Sequence, residues 1–376
     1  MGPKGKHPST GDLFQQPLAE LINLKHPLVK LAELIDWSVF ETRWAEFFPS
    51  RTGRPASSPR LIAGLLYLQH TFACSDEDLI WTWVENPYWQ HFCGETYFQH
   101  EAPIDPSSMT RWRQRVGEEG VEWLLTETIE AARRGKVVKA KSFEKIIIDT
   151  TVMEKAVDYP TDSRLLERSR QHLVKLAGTL GITLRQNYNR EAPRLAAQVG
   201  RYAHAKQYRR MKAALKSLRT VVGRVWRDID RKLDRQDEVQ CAKASSILAR
   251  VKRLLEQKPK DKNKRYSLHA PEVECISKGK ARQPYEFGVK VTVATTHKEG
   301  LVVGMRSLPG NPYDGHTLPE AIEQVSILTA QKPKAVFVDK GYRGVSVAGV
   351  TIWRSGQKRG VTPSIRKAIH RRSAVE

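Results

Sequence analysis

Apolar residues recur along this chain with two different periods. From Leu18 to about Arg134 they fall three and four apart, the spacing of amphipathic helices. Ser57 to Phe72, SSPRLIAGLLYLQHTF, opens on Ser and Pro and carries an apolar stripe. Ser75, followed by Asp76, Glu77 and Asp78, predicts a capped helix through Val84, broken by Asn86-Pro87. DPSSMTRWRQRVG, Asp105 to Gly117, predicts a short helix with a glycine stop, leading into a longer one through about Ala132. The period then drops towards two. EKIIIDTTV predicts a strand of about six residues. YEFGVKVTVATT, Tyr285 to Thr296, alternates and joins LVVGMRSLPG through the turn Lys298-Glu299-Gly300, as a hairpin does. GHTLPEAIEQVSIL predicts a helix capped by Thr317, and AVFVDKGYRG a final strand.

Between the first strand and the hairpin lies a long helical stretch. Tyr208, Met211, Leu215, Leu218, Val222, Val225 and Ile229 alternate in steps of three and four, and Ile247, Val251 and Leu254 mark a returning helix. Such a seam closes an intramolecular hairpin or dimerises two chains. KPKDKNKRYS, Lys258 to Ser267, reads as a charged, exposed connection. Omitting this insert, the order is strand, strand, strand, helix, strand.

Charge changes the picture. The 376 residues carry a formal net charge of +22, a field that favours a polyanion, with nucleic acid first among candidates. Residues 161–260 hold 25 Lys and Arg against 9 Asp and Glu, so most of the excess sits in the insert. That is too unbalanced for a merely solvated face. No apolar run approaches a membrane span, and MGPKGKHPST lacks the apolar core of a signal peptide. Cys74, Cys93, Cys241 and Cys275 are scattered without a C-x-x-C pair, which argues against a disulfide framework or zinc site and fits a reducing cytoplasm.

Two strands end on a carboxylate. Asp149 closes Ile146-Ile147-Ile148, and Asp339 closes Ala335-Val336-Phe337-Val338. An Asp in such a place is a common turn former. As a pair brought together by the topology they repel one another, an arrangement a divalent cation resolves. Carboxylate oxygens suit Mg²⁺, with Mn²⁺ as a substitute. Such ions activate a water or a 3′-hydroxyl at a phosphodiester. The tail SIRKAIHRRSAVE supplies a candidate third acid, Glu376. Lys340 and Arg343 are candidate phosphate contacts or solvated charges.

The motifs IIIDTTV, EFGVKV, NPYDGHTL and VDKGYRG, with SPRLIAGLLYLQ and DPSSMTRWRQRVG upstream, resemble those of DDE-type bacterial insertion-sequence transposases of the insertion-sequence-five group. The resemblance implies an α/β fold: a ribonuclease-H-like catalytic core, a mixed sheet with helices, with three acids binding two Mg²⁺. An all-α N-terminal domain precedes it. By motif, Asp149 is the first acid and Asp339 the second. Arg372-Ser373-Ala374-Val375-Glu376 matches the family's R-x-x-x-E, with Arg372 on DNA and Glu376 as third acid and metal ligand. Relatives continue past this Glu, and Ile369 stands where they have Tyr, which leads to the expectation of a truncated copy of weak or no activity.

The expected organisation is a flexible start (1–17), a helical DNA-binding domain (18–140), a catalytic core (141–160 with 268–376) and a basic helical insert (161–267). The expected partner is double-stranded DNA, both the element's terminal inverted repeats and target DNA. The active form is expected to be a homodimer, in a bacterial cytoplasm at the nucleoid. The alternatives are a non-catalytic DNA-binding remnant and a ribonuclease-H-like nuclease. Trp81, Trp83, Tyr88, Trp89, Phe92, Tyr97 and Phe98 read as a helical core or as base-stacking platforms. Arg111 and Arg113 are candidate DNA contacts, although alternate residues do not share a helix face. His316 reads as a proton shuttle, a phosphate contact or a structural residue, and Asp314 as a turn residue or a supporting acid.

Overall fold

The structure is a computed structural model that describes residues 16–47, 57–233, 237–258, 261, 264–277 and 284–374. Of the expected flexible start (1–17), residues 1–15 lie outside the described residues, as does part of the connection at 258–267. The chain divides into two compact units. One comprises Met1–Asp149, Val293–Met305 and Leu318–Glu376; the other comprises Thr150–Thr292 and Arg306–Thr317.

The first unit begins with helices α1 (Leu18–Leu21), α2 (Pro27–Leu34), α3 (Trp37–Arg43), α4 (Pro59–Phe72), α5 (Asp76–Glu85), α6 (Pro87–Phe92) and α7 (Ser107–Arg134). Their starts are local chemistry. Ser58 Oγ accepts the Leu61 N–H, with Pro59 in the first turn, and Ser75 Oγ accepts the Asp78 N–H. Gly117 at φ 59° turns the chain inside α7, where the glycine stop was expected, and the helix resumes beyond it. Trp83, Trp89 and Phe92 are buried in one apolar cluster with Ile62, Leu65 and Trp112, whereas Trp81 is 60% exposed. The aromatics at helical spacing therefore serve chiefly as core.

Arg113 sits on the wall of this bundle. Its guanidinium donates to both Asp76 oxygens at 2.7 Å each, and to Gln69 Oε1 at 3.0 Å. This fork ties α7 to the start of α5 and holds the Asp76 carboxyl down at about 2, against an ordinary 3.8. The pair's stabilisation is fully present above the ordinary carboxylate value and is lost as pH falls through about 2. Arg113→Gln should cost about 1 kcal/mol at neutral pH, discounted for an arginine more than one-third exposed. Thermal melts from pH 7 downward should show the gap between wild type and variant closing only below about pH 4. A gap independent of pH down to that range and beyond would refute the assignment.

The sheet follows. Its strands are β1 (Lys145–Glu154), β2 (Glu274–Ser277), β3 (Tyr285–Thr296), β4 (Val302–Leu308), β5 (Ala335–Val338) and β6 (Thr351–Arg354), in the order β2-β3-β1-β5-β6 with β4 also on β3. β5 runs parallel to both β1 and β6, and β2 runs antiparallel to β3. The expected hairpin is β3–β4, with Gly300 at φ 75° in its turn. The helix between β4 and β5, α12 (Asp314–Thr329), starts three residues before the expected cap. Thr317 lies inside its first turn and donates to the Asp314 carbonyl at 2.8 Å. This is a mixed α/β fold with a helical N-terminal region and a mixed sheet flanked by helices, as the expected class requires.

In the first unit the strand alternation sorts the sheet's two faces. Ile146, Ile148, Val336 and Val338 share a core with Leu318, Ile322 and Val325 of α12. Fully burying each such side chain contributes about 1.5–3 kcal/mol. The residues between them, Ile147, Asp149, Phe337 and Asp339, must point to the opposite face.

The second unit contains the basic insert: α8 (Asp162–Thr179), α9 (Glu191–His204), α10 (Tyr208–Lys232) and α11 (Glu238–Glu256). Leu218, Val222, Val225 and Ile229 of the seam are buried against Leu166, Leu173, Val251 and Leu254. The seam closes within the chain, on α8 and α9 as well as the returning α11. At its base Lys155 N–H donates to the Phe287 carbonyl at 3.1 Å, and Tyr159 and Tyr266 both pack on the Phe287 ring.

Candidate active site

Asp149 and Asp339 meet because of register. β1 and β5 pair Lys145 with Ala335, Ile146 with Val336 and Ile147 with Phe337. Continuing that register by two residues brings Asp149 level with Asp339 on the neighbouring parallel strand. Both carry the parity of Ile147 and Phe337, so they share a face.

On that face lies α13 (Pro363–His370), followed by a 3-10 turn over Arg371–Ala374. Two contacts hold this segment. His297 Nε2 bonds the Ala368 carbonyl at 2.9 Å while its ring packs on Phe337, and Arg371 donates to the Lys298 carbonyl at 2.6 Å. Burial pushes the His297 imidazole below its ordinary value, favouring the neutral ring against the sheet. The docked turn then delivers Arg372. Its Nη1 lies 2.5 Å from Asp149 Oδ2 and its Nη2 3.5 Å from Asp339 Oδ1. The two carboxylates therefore lie no further apart than those contacts plus the width of one guanidinium, under about 10 Å. The Arg372 and Asp149 side chains are 12% and 18% exposed, and Asp339 is 47% exposed, so the pair opens to solvent on the Asp339 side.

Beyond Asp339, a 3-10 turn over Lys340–Tyr342 buries Tyr342 and leaves Lys340 and Arg343 exposed. Arg111 is exposed on α7, and Arg113 is committed to Asp76. Glu376 lies outside the described residues. His316 is exposed and packs edge-on against Tyr313 at 5.4 Å. Asp314 pairs with Lys290 Nζ at 2.5 Å and accepts from Thr150 Oγ1 at 3.0 Å, both contacts within the second unit. Sequence reasoning missed His297 and Arg371, which carry no motif, and β6, whose TIWR follows a turn too short to announce it.

The donor set fits a small divalent cation. Two carboxylates converge on one positive group, here the guanidinium, and Mg²⁺ is usually held by one or two carboxylates plus substrate phosphates. Among the described residues no group of three or more acidic, His or Cys side chains forms a fuller cage.

One chain thus holds an acidic pair on its sheet and a helical N-terminal region. The chain matches the transposase domain family DUF772 over residues 16–115 and the transposase DDE domain family over residues 223–367, a span that includes Asp339 and not Asp149. It is also similar to "Uncharacterized protein ORF8 in nfe locus" of Rhizobium meliloti, 48% identical over 203 residues, which is 54% of this chain and 98% of that protein. No solved structure matches the chain. The chain belongs to the DDE-type transposases, a family whose partner is DNA and whose chemistry is typically metal-dependent. No helix among the described residues is long and apolar enough to cross a membrane.

Proposed function

We propose that the protein is a transposase of the insertion-sequence-five group that binds the terminal inverted repeats of its own element, cuts there and joins the freed end to target DNA. The observation that supports this most is the shared register of Asp149 and Asp339 together with their common partner Arg372. In this reading Asp149 and Asp339 hold Mg²⁺, or Mn²⁺ in its place, with Glu376 as the third acid. The bound ions supply a nucleophile at neutral pH and charge stabilisation at the phosphodiester. Water attacks the phosphorus and the bond to the 3′ oxygen breaks, leaving a 3′-hydroxyl; that hydroxyl then attacks a target phosphodiester, forming a new P–O bond as the target's own 3′ oxygen leaves as a hydroxyl.

The chain's own residues position this chemistry. Arg372 neutralises the two carboxylates and holds them together, and its fork also suits a phosphate. Lys340 and Arg343, exposed just past Asp339, take backbone phosphates. Residues 18–140 serve as the DNA-binding domain, with Arg111 and Arg113 in the region that approaches DNA, residues 141–160 with 268–376 as the core, and 161–267 as an insert. Two copies act together at the two element ends.

The test uses a supercoiled plasmid carrying the chain's flanking genomic DNA, with Mg²⁺, Mn²⁺ or a chelator. Cuts that leave 3′-hydroxyls, appear only with metal and lead to joined products are expected. Metal-dependent cutting without joined products would reduce the protein to a nuclease. Tight duplex binding with no cutting in either metal would leave a DNA-binding remnant.

A further inference from the structure

The exposed face of α10 has no role in the reading of the acidic pair. At 3.6 residues per turn, Arg209, Lys212, Lys216, Arg224, Arg227 and Arg231 fall within an arc of about 120°, and all six are exposed. Leu218, Val222, Val225 and Ile229 occupy the opposite arc and are buried. From Arg209 to Arg231 the basic arc rises over 22 residue steps, about 33 Å at 1.5 Å per step, close to the roughly 34 Å of one turn of duplex DNA. Asp230 borders the face at its edge.

The carboxyl-terminal half of this face borders a cleft of about 460 Å³ whose lining includes Arg185, Tyr188, Arg224, Arg227, Asp228 and Arg231. Its acid is already occupied. Asp228 is buried, accepts the Arg185 N–H at 2.8 Å and pairs with Lys232 at 3.2 Å. Those bonds, the Arg185 N–H first, hold its carboxyl below the ordinary range. Arg224 reaches the Tyr188 hydroxyl at 3.4 Å and Arg231 the Arg227 carbonyl at 3.1 Å, both neutral acceptors. Among the described residues no carboxylate forms a salt bridge with Arg224, Arg227 or Arg231. Arginines at spacings of three and four residues have Cβ atoms about 5–6 Å apart, so their like charges repel one another unless an anion lies between them. A helix that kept its cations merely for solubility would intersperse acids among them.

We propose that the Arg185–Arg224–Arg227–Arg231 cleft, continued along α10 by Lys216, Lys212 and Arg209, is a binding site for the phosphate backbone of duplex DNA. It rests on DNA being the partner and not on the acidic pair being catalytic. The length of the stripe, the net charge of the insert and the arginine fork all favour a long phosphate ladder over a single small anion. The contacts are to phosphate and carry no sequence information.

The experiment measures binding of a random-sequence 30-base-pair duplex to the full chain across a salt series. Arg224→Gln/Arg227→Gln/Arg231→Gln should lower the slope of log affinity against log salt by about 2–3, near 0.9 per lost contact. A charge-matched control, Lys175→Gln/Lys252→Gln/Lys258→Gln, should change it by much less. Equal losses in both triples would mean that only the overall field matters and would overturn the site. So would cleft arginines that bound duplex fails to protect from phenylglyoxal, a readout on the unmutated protein. Inorganic phosphate that protects these arginines where duplex does not would assign the cleft to a small anion instead. Because binding is read with a chelator present and no cutting is measured, failure of this site is distinguishable from failure of the catalytic reading.

Discussion

Asp149→Asn, and separately Asp339→Asn, should each reduce metal-dependent DNA cleavage by about a thousandfold while leaving duplex affinity within about twofold. Losing one carboxylate of a cation pair removes several kcal/mol of charge stabilisation, and about 4 kcal/mol is a factor near a thousand in rate. Asn keeps the size of the side chain and removes the charge. The two substitutions should differ in stability. Asp149 is the more enclosed and makes the 2.5 Å contact with Arg372, so Asp149→Asn takes the shorter of these two carboxylate contacts from a largely buried guanidinium. Asp339 is nearly half exposed, and its loss is screened by water. Asp149→Asn should therefore melt lower than Asp339→Asn. Cleavage assays over a Mg²⁺ series, paired with calorimetry, check both parts. Undiminished cutting by either variant would remove the pair from the reaction.

The largest stability effect should come from Gly288→Ala on β3. A Cβ built at Gly288 would stand 2.1 Å from the Met153 carbonyl oxygen and 2.8 Å from its carbon. Both obstacles are backbone, so no rotamer change relieves the clash. Either the strands separate or the Lys155 N–H to Phe287 carbonyl bond beside them breaks. The cost should be at least about 3 kcal/mol, above the usual penalty for overpacking a flexible core. Urea unfolding should show a lower midpoint at unchanged slope, and amide exchange at Lys155 should accelerate. A wild-type midpoint would mean that the two strands do not approach so closely. A side-chain-free position is the only signal such a contact leaves, and EFGVKV contains it.

Much of the fold was legible because its signals are local. The Ser58 and Ser75 caps, the Gly117 bend and the Gly300 turn lie within a few residues of what they control. The seam on α10 was equally visible, and the returning helix pointed to closure within the chain. What stayed hidden depends on register between distant strands. Asp149 and Asp339 are separately recognisable as strand-ending acids, but their shared level follows from the Lys145–Ala335 pairing, which no local pattern encodes. Arg372 was expected on DNA from its place in the R-x-x-x-E pattern that the resemblance supplies. Its place between the two carboxylates depends on how His297 and Arg371 anchor α13, and a lone His in a hairpin turn gives no hint of that. Arg113 shows the same limit in the helical region: a surface-type residue in sequence, a strut between two helices in space.

The anchoring of the insert bears on how such a chain can change over time. It departs from the end of β1 and returns towards β3 at almost the same spot, where Lys155 meets Phe287 and two tyrosines clasp one phenyl ring. Its own core is complete without borrowing from the strands. Closing a loop whose ends are already pinned depends only weakly on what the loop contains. A helical module of different length or charge in this place would therefore leave the register of the two acids as it is.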